Sequence, residues 1–196
     1  IQNVRFLNVS INNNSSTSYT SPPSVGIITG WANNTTITNC VVENCNITGE
    51  VVSGGLIAGT VYLSDIDSCY TTGVIQSTKN AGALGGLVGA LVSGDIMNSF
   101  SGATVRDLNS ISNTSYCGGL IGMMGAGRSL SNLQAWGSVS GRYAGAAIGN
   151  YSGGSVSRVY YLDKTSQPGV GYGSTTGVQA MTGFNASTPG LFVQSS

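Results

Sequence analysis

The stretch AGALGGLVGALVSGDI, residues 81–96, decides how the rest of the chain is read. Its first twelve residues are apolar or glycine, and Ser93 and Asp95 follow at once, so the run needs a covered environment. A bilayer span needs about 20 apolar residues, and this run is shorter. Its glycines also disfavour a helix, where each costs about 1 kcal/mol relative to alanine. What remains is a short strand buried against other strands, with Leu87 and Val88 expected to point to opposite faces.

The same pattern recurs along the chain. GLVG at Gly86 has counterparts in GIITG from Gly26, GLIAG from Gly55, GLIG from Gly119 and the weaker AAIG from Ala146, at spacings of 29, 31, 33 and 27 residues. Periods of this length belong to solenoids and arrays. A second signal keeps phase with the first: Ile37, Ile66, Ile96, Leu130 and Val156 follow each start by ten or eleven residues. Val41, Tyr70, Phe100 and Tyr160 stand four residues further on, and Trp136 lies near that place in the fourth copy. The unit reads G-L-apolar-G, a polar turn, I-x-N/S-C/S-aromatic, then Gly-x-Val. Short β-branched and aromatic runs punctuated by Gly, Ser, Asn and Thr are strand and turn signals. One such unit cannot cover its own apolar face, whereas copies stacked in parallel at about 4.8 Å can. The expected fold is all-β, a parallel stacked β-solenoid of five repeats. Leu56, Leu87 and Leu120 are expected to form one ladder, and Ile66, Ile96 and Leu130 another.

Three segments follow from this reading: an N-terminal strand segment and polar loop over 1–23, the repeat array over 24–162, and a C-terminal cap or contact segment over 163–196. The chain starts at Ile1 with neither a methionine nor a signal peptide, which is the expectation for a processed chain or a portion of something larger. Only 7% of the 196 residues are charged, with seven basic and seven acidic side chains that cancel. That balance argues against nucleic acid and anionic membrane as partners, since both select clustered Lys and Arg. It favours association with other neutral surfaces.

Asn-X-Ser/Thr occurs at Asn8, Asn13, Asn14, Asn33, Asn34, Asn46, Asn113, Asn150 and Asn185, so N-linked glycans and an extracellular or cell-surface location are expected. A composition rich in Asn, Ser and Thr also produces such triplets by chance. Cys40 and Cys69 hold the same place in consecutive repeats, and stacking brings their Cα atoms within disulfide range. An alternative register makes Cys45 the partner of Cys69, and Cys117 has no equivalent. Metal binding is disfavoured, because no Cys-x-x-Cys pair and no histidine are present.

The lack of histidine removes Ser-His and Cys-His nucleophile pairs, and the chain is expected not to be an enzyme and to need no cofactor. Asp65, Asp67 and Asp95 are the remaining candidates for carboxylate chemistry of the kind seen in pectin-cleaving β-helices; the plainer reading makes them turn residues before a strand. GYGSTTG at 171–177 lacks the lysine and helix of a phosphate cradle. Tyr70, Phe100 and Tyr160 are either a sugar-stacking stripe or packing.

The phased GLIAG, GLVG and GLIG motifs, each followed by I-x-N/S-C/S-aromatic and Gly-x-Val, resemble the GLUG repeat of large secreted and surface proteins over about 24–162. The terminal VYYLDKTSQPGVGYGSTTGVQAMTGF is similar to the tail that closes such arrays. The resemblance implies a repetitive extracellular β-structure and brings no catalytic residues with it. AAIG, the extra residue in GIITG and GLIAG, and the density of sequons depart from the pattern. The expected function is a structural or assembly module of a surface filament, coat or flagellar hair, partnered by a copy of itself or another surface protein, with Phe184, Leu191 and Phe192 as contact residues. The alternative is an adhesin or carbohydrate-binding stalk; a polysaccharide-cleaving enzyme and an ice-binding protein stand further back.

Overall fold

A computed structural model describes residues 1–13, 23–79, 81–109, 115–163 and 166–181. The chain winds as a stack of coils built from short strands. Strands β1 (Arg5–Leu7) and β2 (Ser10–Asn13) lie on a first coil made of β3 (Ser24–Gly26), β4 (Thr29–Asn33), β5 (Thr36–Thr38) and β6 (Val41–Gly49). The second coil is β7 (Ser53–Gly55), β8 (Ala58–Tyr62), β9 (Asp65–Asp67) and β10 (Tyr70–Ser77). The third is β11 (Ala83–Gly85), β12 (Val88–Leu91), β13 (Asp95–Ser101) and β14 (Thr104–Asp107). The fourth is β15 (Tyr116–Gly118), β16 (Ile121–Met124), β17 (Arg128–Ala135) and β18 (Val139–Ser140). The fifth is β19 (Tyr143–Gly145), β20 (Ile148–Tyr151) and β21 (Gly154–Leu162), and β22 (Val170–Gly173) and β23 (Val178–Met181) continue the stack.

Corresponding strands pair in parallel and form three walls. Sheet A has twelve strands and holds β1, β2 and the second half of every coil; sheet B is β3-β7-β11-β15-β19; sheet C is β4-β8-β12-β16-β20-β22. No helix occurs among the described residues. The fold is thus the parallel β-solenoid that the repeat period predicts.

Glycine sets the turn from sheet B into sheet C. The paired positions are Gly26, Gly55, Gly85, Gly118 and Gly145, so each copy reads G-x-x-x-G and the gaps are 29, 30, 33 and 27 residues. This corrects the expected frame by one residue in the last three copies. Leu56 therefore sits level with Gly86 and Gly119, and the true ladder is Ile28–Ile57–Leu87–Leu120–Ala147. The glycines are required by backbone contact. A Cβ on Gly89 would lie 2.5 Å from the Gly59 carbonyl oxygen and 2.6 Å from the Gly54 nitrogen. Main chain packs against main chain here, which only a residue without a side chain permits.

Leu87 and Val88 are both fully buried, together with Leu56, Ile57, Leu84, Leu91, Leu120 and Ile121. The expectation of an outward apolar face at GGLVG is therefore corrected: the arch folds both residues inward, and the chain covers them itself. Each such side chain contributes about 1.5–3 kcal/mol by leaving water. The second expected ladder holds, with Ile37, Ile66, Ile96, Leu130 and Val156 in register.

The I-x-N/S-C/S motif builds the corner of sheet A. Asn3, Asn39, Ser68, Asn98, Asn132 and Arg158 share one level of successive coils, and all have φ between 48° and 58°. Asparagine tolerates this left-handed conformation better than most residues. The following residue closes the corner: Cys40 and Cys69 donate their thiols to the carbonyls of Thr38 and Asp67, each at 3.2 Å, and Ser99 donates its hydroxyl to Met97 at 2.7 Å. Amides link the rungs, with Asn39 Nδ2 donating to Asn3, Asn98 to Asp67 and Asn132 to Asn98. The ladder stops at Arg158, which leaves the buried Asn132 Oδ1 without a partner.

Candidate functional site

Asp65 and Asp95 line up on adjacent rungs, while Asp67 is level with Met97, and each carboxylate has a specific partner. Asp65 Oδ1 accepts the Asp95 backbone N–H at 2.9 Å, Asp95 Oδ1 accepts that of Ser129 at 2.9 Å, and Asp67 Oδ1 accepts from Asn98 and Ser68. Each carboxylate ties its rung to the next, and all three lie within strands β9 and β13, not in the turns before them. Among the described residues no cluster of three metal-ligating side chains exists.

The four cysteines are free and buried, which corrects the expected disulfide. Cys40 and Cys69 do occupy adjacent rungs, but their thiols serve the corner carbonyls. Cys45 is level with Gly73, not with Cys69, so the alternative pairing is overturned. Its thiol donates to Glu43 O at 3.3 Å, beside a second asparagine corner in which Asn44 Nδ2 donates to Asn8. Burial pushes the Cys69 thiol up to about 12, with the neighbouring Cys40 acting on it as well. Burial likewise raises Cys117 to about 11, against a hydrogen bond from Ser115 that lowers it.

The rings of Tyr70, Phe100 and Trp136 stack, with centroids 4.5 Å and 5.2 Å apart. Trp136 reaches this stack because Gly102 leaves room for its indole. Tyr160 shares the level of Phe100 through Gln134. Rings that cover one another's faces bind each other, which favours packing over a sugar-stacking stripe.

Charge is segregated by sheet. Arg5, Glu43, Asp65, Asp67, Asp95, Arg106, Asp107, Arg128 and Arg158 all lie in sheet A, and no strand of sheet B or sheet C contains a charged residue. Between two side-chain columns of sheets B and C runs a groove of about 410 Å³. Ser24, Ser53, Ala83 and Tyr116 form one column, and Trp31, Thr60, Ala90 and Met123 the other. Its hydroxyls are occupied: Ser24 and Thr60 share a hydrogen bond of 2.9 Å, Thr60 donates to Ser53 at 3.3 Å, and Ser53 donates to Gly59 O at 2.6 Å. A visitor therefore meets an apolar floor. Trp31 stands out at one end, 58% exposed, with Val92 lining the same groove and Tyr62 exposed on the paired strand. At the other end Tyr116 stacks on Tyr143 at 5.3 Å, Tyr172 meets Tyr143 edge-on at 5.3 Å, and Arg142, just before β19, sets its guanidinium over the Tyr143 ring at 5.6 Å.

This face carries no sequence signal apart from the absence of charge at regular intervals. The expected contact residues Phe184, Leu191 and Phe192, and the sequons Asn14, Asn113 and Asn185, lie outside the described residues. Asn8, Asn33 and Asn34 are exposed, Asn13 and Asn46 are half-buried, and Asn150 is buried in sheet C. No described helix is long and apolar enough to cross a membrane. Comparison with family models, with curated proteins and with solved structures finds no match.

Proposed function

We propose that the chain is a non-catalytic, GLUG-like extracellular assembly module whose face of sheets B and C, with no charged residue in its strands, docks against another copy of itself. The observation that supports this most is the segregation of charge, which leaves two whole sheets without a charged side chain. Natural sheets use charges to discourage association, and their absence over a grooved, apolar surface favours it. The groove's satisfied hydroxyls also favour an apolar visitor over one that needs hydrogen bonds. A cell-surface filament or coat is the setting that fits a neutral, stackable solenoid.

Sedimentation of the unglycosylated protein over a concentration series tests the reading. Wild type is expected to associate, and Ala90→Lys, which sets a charge in the groove floor, is expected to remain monomeric with an unchanged strand signal. A wild type that is monomeric at all concentrations defeats the proposal. The exposed Trp31, Tyr62 and Tyr172 favour a second reading, an adhesin, and binding of a defined oligosaccharide by a monomer would support that instead.

A further inference from the structure

Trp31 is one of several large apolar side chains left exposed, at 58%, and its neighbours on β4 and β8 point to what covers it. Trp31 and Asn33 flank the buried Ala32 on β4, so they share one exposed face about 6.6 Å apart along the strand. Asn33 is also paired with Tyr62 of the next coil, whose ring is 39% exposed. The segment Trp31-Ala32-Asn33-Asn34-Thr35 therefore sets a sequon asparagine between two exposed aromatic rings. Thr35, which completes the sequon, is held by a hydrogen bond from its hydroxyl to Asn33 O at 3.0 Å.

We propose that Asn33 is an N-glycosylation site whose first N-acetylglucosamine packs on Trp31. This rests on the extracellular reading above. The other described sequons fit less well. Asn13 Nδ2 is engaged with Glu50 O at 2.7 Å, Asn8 is tied to Asn44 at 2.7 Å, Asn46 lies within the paired strand β6, and Asn150 is buried between Met123 and Tyr172. Asn34 sits past the strand end with φ 51°, off the face that carries Trp31. The donor is a lipid-pyrophosphate-linked oligosaccharide. Asn33 Nδ2 attacks C1 of its reducing-end sugar, a C–N bond forms, the C1–O bond to phosphate breaks, Nδ2 loses a proton and the lipid pyrophosphate departs. The sugar's C–H bonds carry partial positive charge, which suits the negative face of an indole ring. A glycan there covers the N-terminal end of the charge-free face and confines self-docking to the part around Ala90 and Met123.

The test is secretion from a eukaryotic host, followed by peptide mapping and trimming to a single N-acetylglucosamine. Asn33 is expected to be occupied and Asn150 bare. The singly glycosylated protein is expected to melt about 2–4 °C above its Asn33→Gln variant, a shift on the scale of one modest contact in a domain of this size. Trp31→Ala is expected to remain glycosylated and to lose that difference. Asn33 bare in secreted protein, occupancy of Asn34 in its place, or an equal gain in Trp31→Ala would each overturn the proposal. Failure of self-association in the unglycosylated protein bears only on the assembly reading.

Discussion

Sheet A and the paired sheets B and C solve the same stacking problem by different chemistry. In sheet A the rungs are joined by side chains: asparagine amides, aspartate carboxylates and the Arg5–Glu43 ion pair bridge one coil to the next. In sheets B and C the main chain carries most of this, because glycines bring backbone against backbone, and the Ser24–Thr60 hydroxyl contact adds a side-chain link between the first two coils. The difference teaches why charge collects on one side. A wall joined by polar side chains can carry charged ones that bridge its rungs, while the strands of sheets B and C, rich in Gly, Ala, Ser and aromatic residues, hold their rungs without ionic links.

The contrast is broken most severely at a glycine. Gly89→Ala would press a methyl into the Gly59 carbonyl and the Gly54 nitrogen, neither of which can move independently. We expect a loss above about 4 kcal/mol, seen as failure to fold or a collapsed denaturation midpoint. Ile96→Ala, in the central ladder between Ile66 and Leu130, leaves a cavity and costs about 2–5 kcal/mol by the same measurement.

The corner of sheet A permits a finer separation. Asn98→Ala loses both the amide links to Asp67 and Asn132 and a residue suited to φ 48°, and is expected to cost about 1–3 kcal/mol. Asn98→Gly restores the conformation without the links, so its loss is expected to be smaller. Equal losses would assign the whole effect to the hydrogen bonds.

The thiols act only in alkaline solution and give no effect at neutral pH, and the sign is determined. Folded Cys69 holds its proton to about pH 12, while an unfolded thiol releases it near 9.0, so between those values the unfolded state binds fewer protons. Stability is then fully present below about pH 9 and falls as pH rises toward 12. Cys69→Ser, whose hydroxyl can still donate to Asp67 O, is expected to remove that component of the alkaline loss. Iodoacetamide at pH 8 is expected to label Cys69 and Cys117 only after unfolding, with four thiols then titrating.

Much of this architecture is legible in the sequence, for a physical reason. Ile37, Ile66, Ile96, Leu130 and Val156 are read correctly because a buried column tolerates only large apolar residues, so the phase is visible. The frame of the glycine arch is less legible. The doubled glycines at 85–86 and 118–119 admit two alignments, and only the approach of main-chain atoms across coils decides between them. Cys40 and Cys69 look like a covalent staple because they are in phase, yet the phase comes from a corner that a thiol or a hydroxyl closes equally, as Ser99 shows. The charge-free groove is the hardest to read, since it is marked by residues that are missing and by hydroxyls whose partners lie a coil away.

The central claim is that sheets B and C form the contact face and sheet A stays in solvent. Hydroxyl-radical footprinting of the unglycosylated protein, dilute and concentrated, tests it directly by oxidation of single side chains. The account predicts that Trp31, Tyr62, Tyr116 and Met123 become protected on concentration while Tyr70 and Tyr160 react as before. Protection of Tyr70 and Tyr160 with Trp31 and Met123 unchanged would contradict it.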